Sequence, residues 1–301
     1  MKTNKKITQK LSLTLSALIL FVLCTVNITA SAHCKNSTIS KTFISEENLG
    51  QAMDSIVVPY ISSFESTGYF TGQNNVNIFY KKYVLPNSKG NIVISHGFTE
   101  YVEKYNELIY YFLKEGYSVF IAEHRGHGRS GHLGKVDSTQ VNVEDNEYYI
   151  LDLKTFIDSV VKPNSKDKKL FLFGHSMVGG IAAKFAEEYP NYFSAVILTD
   201  YAVNNACKIK SPVLLFQAEN DTMVKPGGQN TFASKARNCE LVKISGGQHN
   251  LFRESDDILL PYLQKLCLSI IQIYKNRGCL GSLFSMEIIY SLLSIHLLLI
   301  Q

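Results

Sequence analysis

The sequence predicts an α/β fold in which helices cover both faces of a mostly parallel sheet. Short, continuously apolar segments such as Asn91–Ser95 and Val213–Gln217 alternate with longer segments of helical periodicity. Strands that are apolar throughout are typical of parallel sheets buried on both faces. The 301 residues, 46% hydrophobic and 19% charged, suit one large globular domain. No internal repeat or low-complexity linker divides the chain.

The predicted elements follow from periodicity and from Gly and Pro punctuation. The strands are expected as two within Gly72–Pro86, where apolar residues alternate, and then at Asn91–Ser95, Tyr117–Ala122, Leu170–Phe173, Ala195–Thr199, Val213–Gln217 and Glu240–Ile244. The helices are expected at Tyr105–Glu115, about Asp145–Val161, Val178–Tyr189 and about Asp256–Tyr274. A turn-rich loop, His124–Gly131, separates the second apolar strand from the second helix.

The first 32 residues match a secretory signal peptide. Four lysines precede an apolar run from Leu11 to Val26, and Ala30-Ser31-Ala32 supplies small residues for cleavage after Ala32. A transmembrane helix is the alternative, but the run is shorter than the ~20 residues that a span needs. Cleavage removes four lysines and no acids, so the formal net charge falls from +4 to zero. We therefore expect a secreted or extracytoplasmic protein with no nucleic-acid partner.

Residues 279–301 form a hydrophobic tail beyond a predicted domain at 33–278. The run Cys279–Ile300 has about the length of a membrane span and is preceded by Lys275 and Arg277. In an exported protein, an anchor here would leave that basic flank outside, against the positive-inside rule. Membrane association through the tail, a partly buried helix and a non-native reading-frame tail stay open as alternatives.

The segment Leu170–Gly180, LFLFGHSMVGG, is typical of a strand that runs into a Gly-flanked serine and then into a helix. Such a turn exposes the serine hydroxyl and directs the helix dipole and free N–H groups at developing negative charge. Ser176 is therefore the candidate nucleophile. Val178 stands where the GxSxG pattern has Gly, and a β-branched side chain there strains the turn unless Gly179 and Gly180 let the helix shift.

Five motifs in order resemble the lysophospholipase and monoacylglycerol lipase branch of the α/β-hydrolase superfamily, of serine aminopeptidase S33 type. They are HGFTE at 96–100, EHRGHGRSG at 123–131, GHSM at 174–177, QAEND at 217–221 and GGQHNLF at 246–252. The resemblance spans roughly residues 72–274, and the motifs stand at the ends of predicted strands. It implies the α/β-hydrolase fold and a catalytic triad in the chain order Ser, acid, His.

The resemblance assigns the triad to Ser176, Asp221 and His249. His249 would take the serine proton and return it to the leaving alcohol, and Asp221 would hold the imidazole in the correct tautomer. Asp200, at the end of the preceding strand, is the rival acid, because some hydrolases of this fold use that position. The choice between the two aspartates favours Asp221 and stays a prediction.

The oxyanion hole is expected from the backbone N–H groups of Phe98 and Met177, which follow His96-Gly97 and Ser176. A metal site is the alternative reading of four histidines, but none of them pairs on a helix face, and the family packs its His-Gly loops beneath the active site. These histidines are His96, His124, His127 and His132. We expect no metal and no cofactor.

The connection before Val213 is too short for the helical cap that this family inserts there. Tyr201–Pro212 is twelve residues, about the minimum for a parallel crossover alone. We therefore expect that the cap is absent and that the crossover lacks its helix. Because each buried CH₂ contributes roughly 0.8 kcal/mol, an open site weakens the preference for long acyl chains.

Two functions from different classes follow. The first is a serine carboxylester hydrolase that acts on a lysolipid or small-molecule ester through an acyl-enzyme. The alternative is a catalytically impaired hydrolase fold, a pseudoenzyme or binding protein, because of Val178 and the missing cap. Aminopeptidase and haloperoxidase chemistry remain further alternatives, since fold does not fix substrate.

Overall fold

The computed structural model describes residues 38–131, 141, 145–199 and 206–276, and within them the strands form one eight-stranded sheet. The strands are β1 (Glu65–Thr71), β2 (Asn77–Tyr83), β3 (Gly90–Ser95), β4 (Tyr117–Ala122), β5 (Leu170–His175), β6 (Ala195–Thr199), β7 (Val213–Ala218) and β8 (Cys239–Ile244). Their order is β1-β2-β4-β3-β5-β6-β7-β8. β2 pairs antiparallel with β1 and β4, and every other neighbouring pair is parallel.

Helices precede the sheet and connect its strands. In chain order they are α1 (Thr38–Thr42), α2 (Glu46–Ala52), α3 (Val58–Ser62), α4 (Asn106–Lys114), α5 (Glu147–Phe156), α6 (Lys162–Asn164), α7 (Met177–Glu188), α8 (Pro226–Lys235) and α9 (Asp256–Asn276). A π-helical turn, Met53–Val57, joins α2 to α3, and a second, Ile157–Val161, joins α5 to α6.

Two apolar cores lie on opposite faces of the sheet. On one face α1, α4 and α9 pack on the strands through side chains such as Phe112 and Leu263. On the other face α5, α7 and α8 do so through side chains such as Phe156 and Phe185. The strands β3 to β7 are buried along their whole length, which is why each holds a run of at least three consecutive apolar residues. The predicted α/β-hydrolase fold is confirmed.

The prediction of two strands within Gly72–Pro86 is wrong. That range holds β2 alone, and the hairpin partner β1 comes earlier in the chain, paired from Glu65 opposite Tyr83 to Thr71 opposite Asn77. β1 lies at the sheet edge with half-buried and exposed residues. Its polar sequence, ESTGYFT, therefore lacks the apolar pattern by which the central strands are recognised.

The helix α8 was not predicted. Its sequence, PGGQNTFASK, has two glycines near its start and buries Gln229 and Phe232. Glycine and polar residues hide helical periodicity, and the local signal in favour of a helix is the proline at its first turn.

The connection from β6 to β7 joins parallel neighbours, with Val196 opposite Val213. Its described part holds a short 3₁₀ turn, Ala206–Lys208, whose Ala206 is buried. Residues 200–212 leave no length for a helical cap that would cover an acyl chain. The rival acid Asp200 lies outside the described residues.

The predicted signal peptide (1–32) and hydrophobic tail (279–301) also lie outside the described residues, so both stay predictions. Within the described ranges, no helix combines the length and the apolar character required to cross a bilayer.

Candidate active site

Four parallel strands bring the predicted site residues to one edge of the sheet. β3 leads into the His96–Glu100 loop, β5 ends directly before Ser176, β7 is followed by Asp221, and β8 is followed by the loop that holds His249. Because these strands are parallel, their carboxyl ends meet at the same edge, where α/β folds place their ligands.

Ser176 occupies a strained turn between β5 and α7. Its backbone angles are φ 56° and ψ −135°, a conformation that costs a non-Gly residue about 1–3 kcal/mol. The turn is held by two backbone hydrogen bonds: Ser176 N–H donates to Thr199 O at 3.0 Å, and Gly179 N–H donates to Ser176 O at 2.8 Å. This geometry is that of the nucleophile elbow of the α/β-hydrolase fold.

The structure brings Ser176, His249 and Asp221 into one hydrogen-bonded chain. Ser176 Oγ lies 2.7 Å from His249 Nε2, and His249 Nδ1 lies 2.9 Å from Asp221 Oδ2. The Asp221 carboxylate is buried, and its Oδ1 accepts the N–H groups of Met223 at 2.7 Å and Val224 at 2.9 Å. An ionised carboxylate facing Nδ1 favours the tautomer in which Nε2 is free to accept the serine proton.

The loop around His249 is fixed independently of the imidazole. Gly247 O accepts Asn220 N–H at 2.9 Å, and Gln248 N–H donates to Glu254 Oε1 at 2.6 Å. The first bond ties the loop after β8 to the loop after β7, and the second braces the loop after β8 itself. The distance between the imidazole and Asp221 is therefore set by the backbone as well as by the side-chain contact.

The peptide that joins Gly97 to Phe98 is oriented by His96. The carbonyl of Gly97 accepts His96 Nδ1–H at 2.8 Å and Glu100 N–H at 3.3 Å. Because a trans peptide is planar, the N–H of Phe98 points away from that carbonyl. His96 Nε2 accepts His124 N–H at 2.9 Å, which fixes the tautomer, and burial lowers the pKa of His96 to about 4. The ring that orients the peptide is thus neutral.

Met177 is the first residue of α7, where backbone N–H groups have no partner within the helix. Its N–H and that of Phe98 are therefore donors at the ends of β5 and β3. The side chains of Met177 and Val178 lie outside the described ones, so the predicted strain from Val178 stays a prediction.

Three of the four histidines pack against one another in tilted or edge-on contacts. The ring centroids of His96 and His124 lie 4.4 Å apart and those of His96 and His127 lie 5.2 Å apart. Burial lowers the pKa of His124 well below its usual range, and Ser95 Oγ lies 3.1 Å from His124 Nε2. Within the described ranges no group of His, Cys, Asp or Glu has the arrangement of a metal site, and His132 lies outside those ranges.

The loop after β4 is held by buried charges. Arg125 is fully buried and pairs with Asp152, with Nε 2.7 Å from Oδ2 and Nη2 3.0 Å from Oδ1. Glu123, also fully buried, pairs with Arg129 and accepts the N–H of Val102 at 3.3 Å. The EHRGHGRSG motif therefore fixes its own loop through its arginines and its glutamate.

Glu100 and His175 form a buried polar pair next to the serine that was not predicted from the sequence. Glu100 Oε2 accepts Gly97 N–H at 2.6 Å and Tyr105 O–H at 2.5 Å, and lies 3.3 Å from His175 Nδ1. Burial alone would raise the pKa of Glu100, but the hydrogen bond and charge of His175, with the donors of Tyr105 and Gly97, lower it to about 2. The available sequence signal was position, since Glu100 ends the HGFTE motif and His175 precedes Ser176.

The surface beside His249 is an open, polar depression lined by Gln248, His249, Asn250, Arg253 and Glu254. Three large apolar side chains on the loops after β3 and β7 are exposed, namely Phe98, Tyr101 and Met223. In the described part of the site, an incoming molecule therefore meets polar groups on one side and separate apolar side chains on the loops.

Solved structures of hydrolases share this fold. A soluble variant of monoglyceride lipase from Saccharomyces cerevisiae aligns with a TM-score of 0.61 at 18% identity, covering 69% of this chain and 94% of that one. A carboxyl esterase from Bacillus coagulans aligns with a TM-score of 0.62 at 15% identity, covering 70% of this chain and 99% of that one. At these identities the likeness shows the fold.

Curated relatives match over the middle of the chain. The monoacylglycerol lipase of Mycolicibacterium smegmatis is 32% identical over 168 residues, which are 56% of this chain and 57% of that protein. Lysophospholipase L2 of Escherichia coli is 32% identical over 130 residues, which are 43% of this chain and 38% of that protein. The chain spans about half the length of the curated relatives that it matches, or less.

A family model described as serine aminopeptidase, S33, matches residues 86–203 and 198–256. The matched region is more than half of the chain and includes the His96–Glu100 loop, the serine turn and the loops that hold Asp221 and His249. Together with the sheet order and the placement of these loops, it shows that the chain belongs to the serine aminopeptidase S33 family of α/β-hydrolases.

Proposed function

We propose that the protein is a serine carboxylester hydrolase of the lysophospholipase and monoacylglycerol lipase type, with Ser176 as nucleophile, His249 as general base and Asp221 as the acid. The observation that carries the proposal is the continuous chain from Ser176 Oγ to His249 Nε2 at 2.7 Å and from His249 Nδ1 to Asp221 Oδ2 at 2.9 Å. These are hydrogen-bond distances in the order that a nucleophile, a base and an orienting group require.

In the proposed reaction, His249 Nε2 takes the hydroxyl proton while Ser176 Oγ forms a bond to the ester carbonyl carbon. The carbonyl oxygen becomes an oxyanion that accepts the N–H groups of Phe98 and Met177. Collapse breaks the bond to the alcohol oxygen, which leaves with the proton from His249. Water then attacks the acyl-enzyme, with His249 again as base, and releases the acid and the free Ser176 hydroxyl.

For the substrate we propose a monoacylglycerol, a lysolipid or a smaller ester. The names of the curated relatives support the first two classes. The short connection between β6 and β7 and the polar depression beside His249 favour a modest dependence on acyl length. If the acyl chain stays largely in water, a longer chain forgoes much of the roughly 0.8 kcal/mol per CH₂ that burial would provide.

The test is hydrolysis of 4-nitrophenyl esters from acetate to palmitate, together with monooleoylglycerol and lysophosphatidylcholine. We expect turnover that Ser176→Ala and His249→Ala both abolish, with less than a tenfold rise in kcat/KM per three added CH₂ groups. A rise of about 50-fold per three CH₂ groups, the value for full burial, would contradict an open site. No hydrolysis of any ester by the folded protein would contradict the proposed activity.

The alternative is a catalytically impaired member of the family, and the short β6–β7 connection favours it, because this connection removes the usual place for an acyl pocket. The two proposals differ in one respect that can be measured. An impaired enzyme with an intact triad reacts with a small activated phosphonate but hydrolyses few esters, whereas a protein with a distorted serine turn does neither.

We also propose that residues 1–32 direct export and that the tail at 279–301 associates the mature protein with a membrane. Amino-terminal sequencing of the exported protein should begin at His33. Deletion of 279–301 should release the protein from the membrane fraction, and a protein that is equally released with its tail present would contradict the second assignment.

A further inference from the structure

A buried glutamate and a buried histidine connect the loop of Phe98 to the loop of His249. Glu100 is 6% exposed and His175 is 1% exposed, and His175 Nδ1 lies 3.3 Å from Glu100 Oε2. The same Glu100 oxygen accepts Gly97 N–H at 2.6 Å. On the other side of the ring, His175 Nε2 lies 3.1 Å from the backbone oxygen of His249. Neither residue belongs to the proposed triad, but Glu100 contacts the loop that carries Phe98 and His175 contacts the backbone of His249.

Both nitrogens of His175 face acceptors. The Glu100 carboxylate, whose pKa is lowered to about 2, lies against Nδ1, and a backbone carbonyl oxygen lies against Nε2. A neutral imidazole has one N–H and can donate to one of these groups only. Both contacts are hydrogen bonds only if both ring nitrogens carry hydrogen.

The surroundings of the pair are apolar and aromatic. Phe252 packs edge-on to the His175 ring at 5.0 Å and stacks on the Tyr105 ring at 4.9 Å. Titratable groups near the pair include Tyr105, which donates to Glu100, and His249, whose ring centroid lies 5.3 Å from that of His175. They also include Lys104, whose Nζ lies 3.9 Å from Glu100 Oε1, and His96, which interacts electrostatically with Glu100. In a site that excludes water, hydrogen bonds to charged groups are strong and hold their geometry.

The space beside the pair admits no side chain at position 97. A Cβ on Gly97 would lie 2.8 Å from Glu100 Oε2 and 2.9 Å from His175 Nδ1. The loop backbone therefore lies directly against the pair, and a displacement of either side chain moves the peptide that carries the N–H of Phe98.

We propose that Glu100 and His175 are positioning residues that align the Phe98 N–H and the His249 imidazole on one substrate carbonyl. Glu100 holds the loop of Phe98 through Gly97 N–H, and the doubly protonated His175 holds the loop of His249 through its backbone carbonyl. The inference rests on the proposed function, because alignment has a catalytic meaning only if Ser176 is the nucleophile.

The kinetic test compares Glu100→Ala, Glu100→Gln and the control Glu115→Gln on 4-nitrophenyl acetate. Glu115 is a buried glutamate just before β4, at the end of the strands opposite to the one that holds Ser176. We expect Glu100→Ala to lower kcat per fluorophosphonate-titrated site at least about tenfold, below the 10²–10³-fold loss of a whole oxyanion donor, with KM within twofold. Glu100→Gln should lie between Glu100→Ala and the wild type, because its amide oxygen still accepts Gly97 N–H while His175 loses one of its two hydrogen bonds. A Glu100→Ala variant with wild-type kcat, or a Gln variant no better than Ala, overturns the proposal.

The spectroscopic test is ¹⁵N NMR of protein with labelled histidine at pH 7, with signals assigned by their loss in His175→Asn. We expect two protonated ring nitrogens for His175 in the wild type and one in Glu100→Gln. A single protonated nitrogen in the wild type overturns the assignment. This spectrum requires no turnover. A protein that shows both protons but does not react at Ser176 would therefore refute the proposed function while leaving the imidazolium pair in place.

Discussion

Replacing Asp221 by Asn should abolish most of the activity, because the structure dictates which way the new amide must face. Oδ1 of Asp221 accepts two backbone N–H groups, from Met223 and Val224. In Asp221→Asn the amide oxygen must occupy this position, since an NH₂ group there would oppose two donors. The NH₂ group is then left facing His249 Nδ1.

An NH₂ group facing Nδ1 requires that nitrogen to accept, so the remaining proton of the imidazole moves to Nε2. His249 Nε2 then presents N–H to Ser176 Oγ, now 2.7 Å away, and cannot take its proton. A wrong tautomer in a triad lowers kcat by about 10⁴-fold. At 1.36 kcal/mol per tenfold, this loss corresponds to about 5.4 kcal/mol of transition-state stabilisation.

The assay is kcat on 4-nitrophenyl acetate for Asp221→Asn, Asp221→Ala and Asp200→Asn. We expect Asp221→Asn to be no better than Asp221→Ala and Asp200→Asn to stay close to the wild type. Near-wild-type activity in Asp221→Asn together with a loss of about 10³-fold in Asp200→Asn would exclude Asp221 and make Asp200 the acid.

Three further predictions test the support of the site. Gly97→Ala should lower kcat about tenfold or more, because the added Cβ would displace Glu100 and His175 and a loss of about 1–2 kcal/mol of transition-state stabilisation has that effect. In the control Gly227→Ala, the added Cβ meets nothing within 4 Å, so kcat should stay unchanged. Equal values of kcat in the two variants would argue against close packing at Gly97. Val178→Gly should raise kcat about tenfold if the roughly 1–3 kcal/mol of strain in the serine turn also raises the energy of the transition state. An unchanged kcat would assign slow turnover to the missing acyl pocket. Burial lowers the pKa of His96 from 6.5 to about 4, so as the pH falls the unfolded chain takes up the imidazole proton before the folded protein does. The free energy of unfolding should therefore fall by about 3 kcal/mol between pH 6.5 and pH 4 from His96 alone. Urea unfolding at pH 7 and pH 4.5 should show a smaller fall in this free energy for His96→Asn than for the wild type, and an equal fall would contradict a neutral buried ring.

The central strands and the helix after Ser176 could be predicted because their burial leaves a local pattern. β3 and β7 are buried from end to end and hold runs of three and four apolar residues, and α7 follows a strand and a Gly-flanked serine. The edge strand β1 and the helix α8 could not be predicted in this way. β1 is half exposed and polar, and α8 begins with Pro226 and two glycines, so tertiary contacts rather than sequence pattern define them.

The residues of the candidate site also fall into two groups, those that the sequence predicts and those that only the fold brings together. Ser176, Asp221 and His249 were expected from motifs that stand at strand ends, and the structure places their side chains at hydrogen-bond distances. Glu100 and His175 are 75 residues apart and carry no pairing signal in the sequence. Their contact exists because β3 and β5 are neighbours in the sheet, which brings the residues after one strand to the end of the other.

The most direct measurement is fluorophosphonate labelling of the protein starting at His33, the proposed mature amino terminus, with the modified residue located by mass spectrometry. We expect labelling at Ser176 that is lost in Ser176→Ala and in His249→Ala, because the probe reacts with an activated serine and needs little of a substrate pocket. Folded protein that does not label, or that labels equally in His249→Ala, would contradict an activated Ser176.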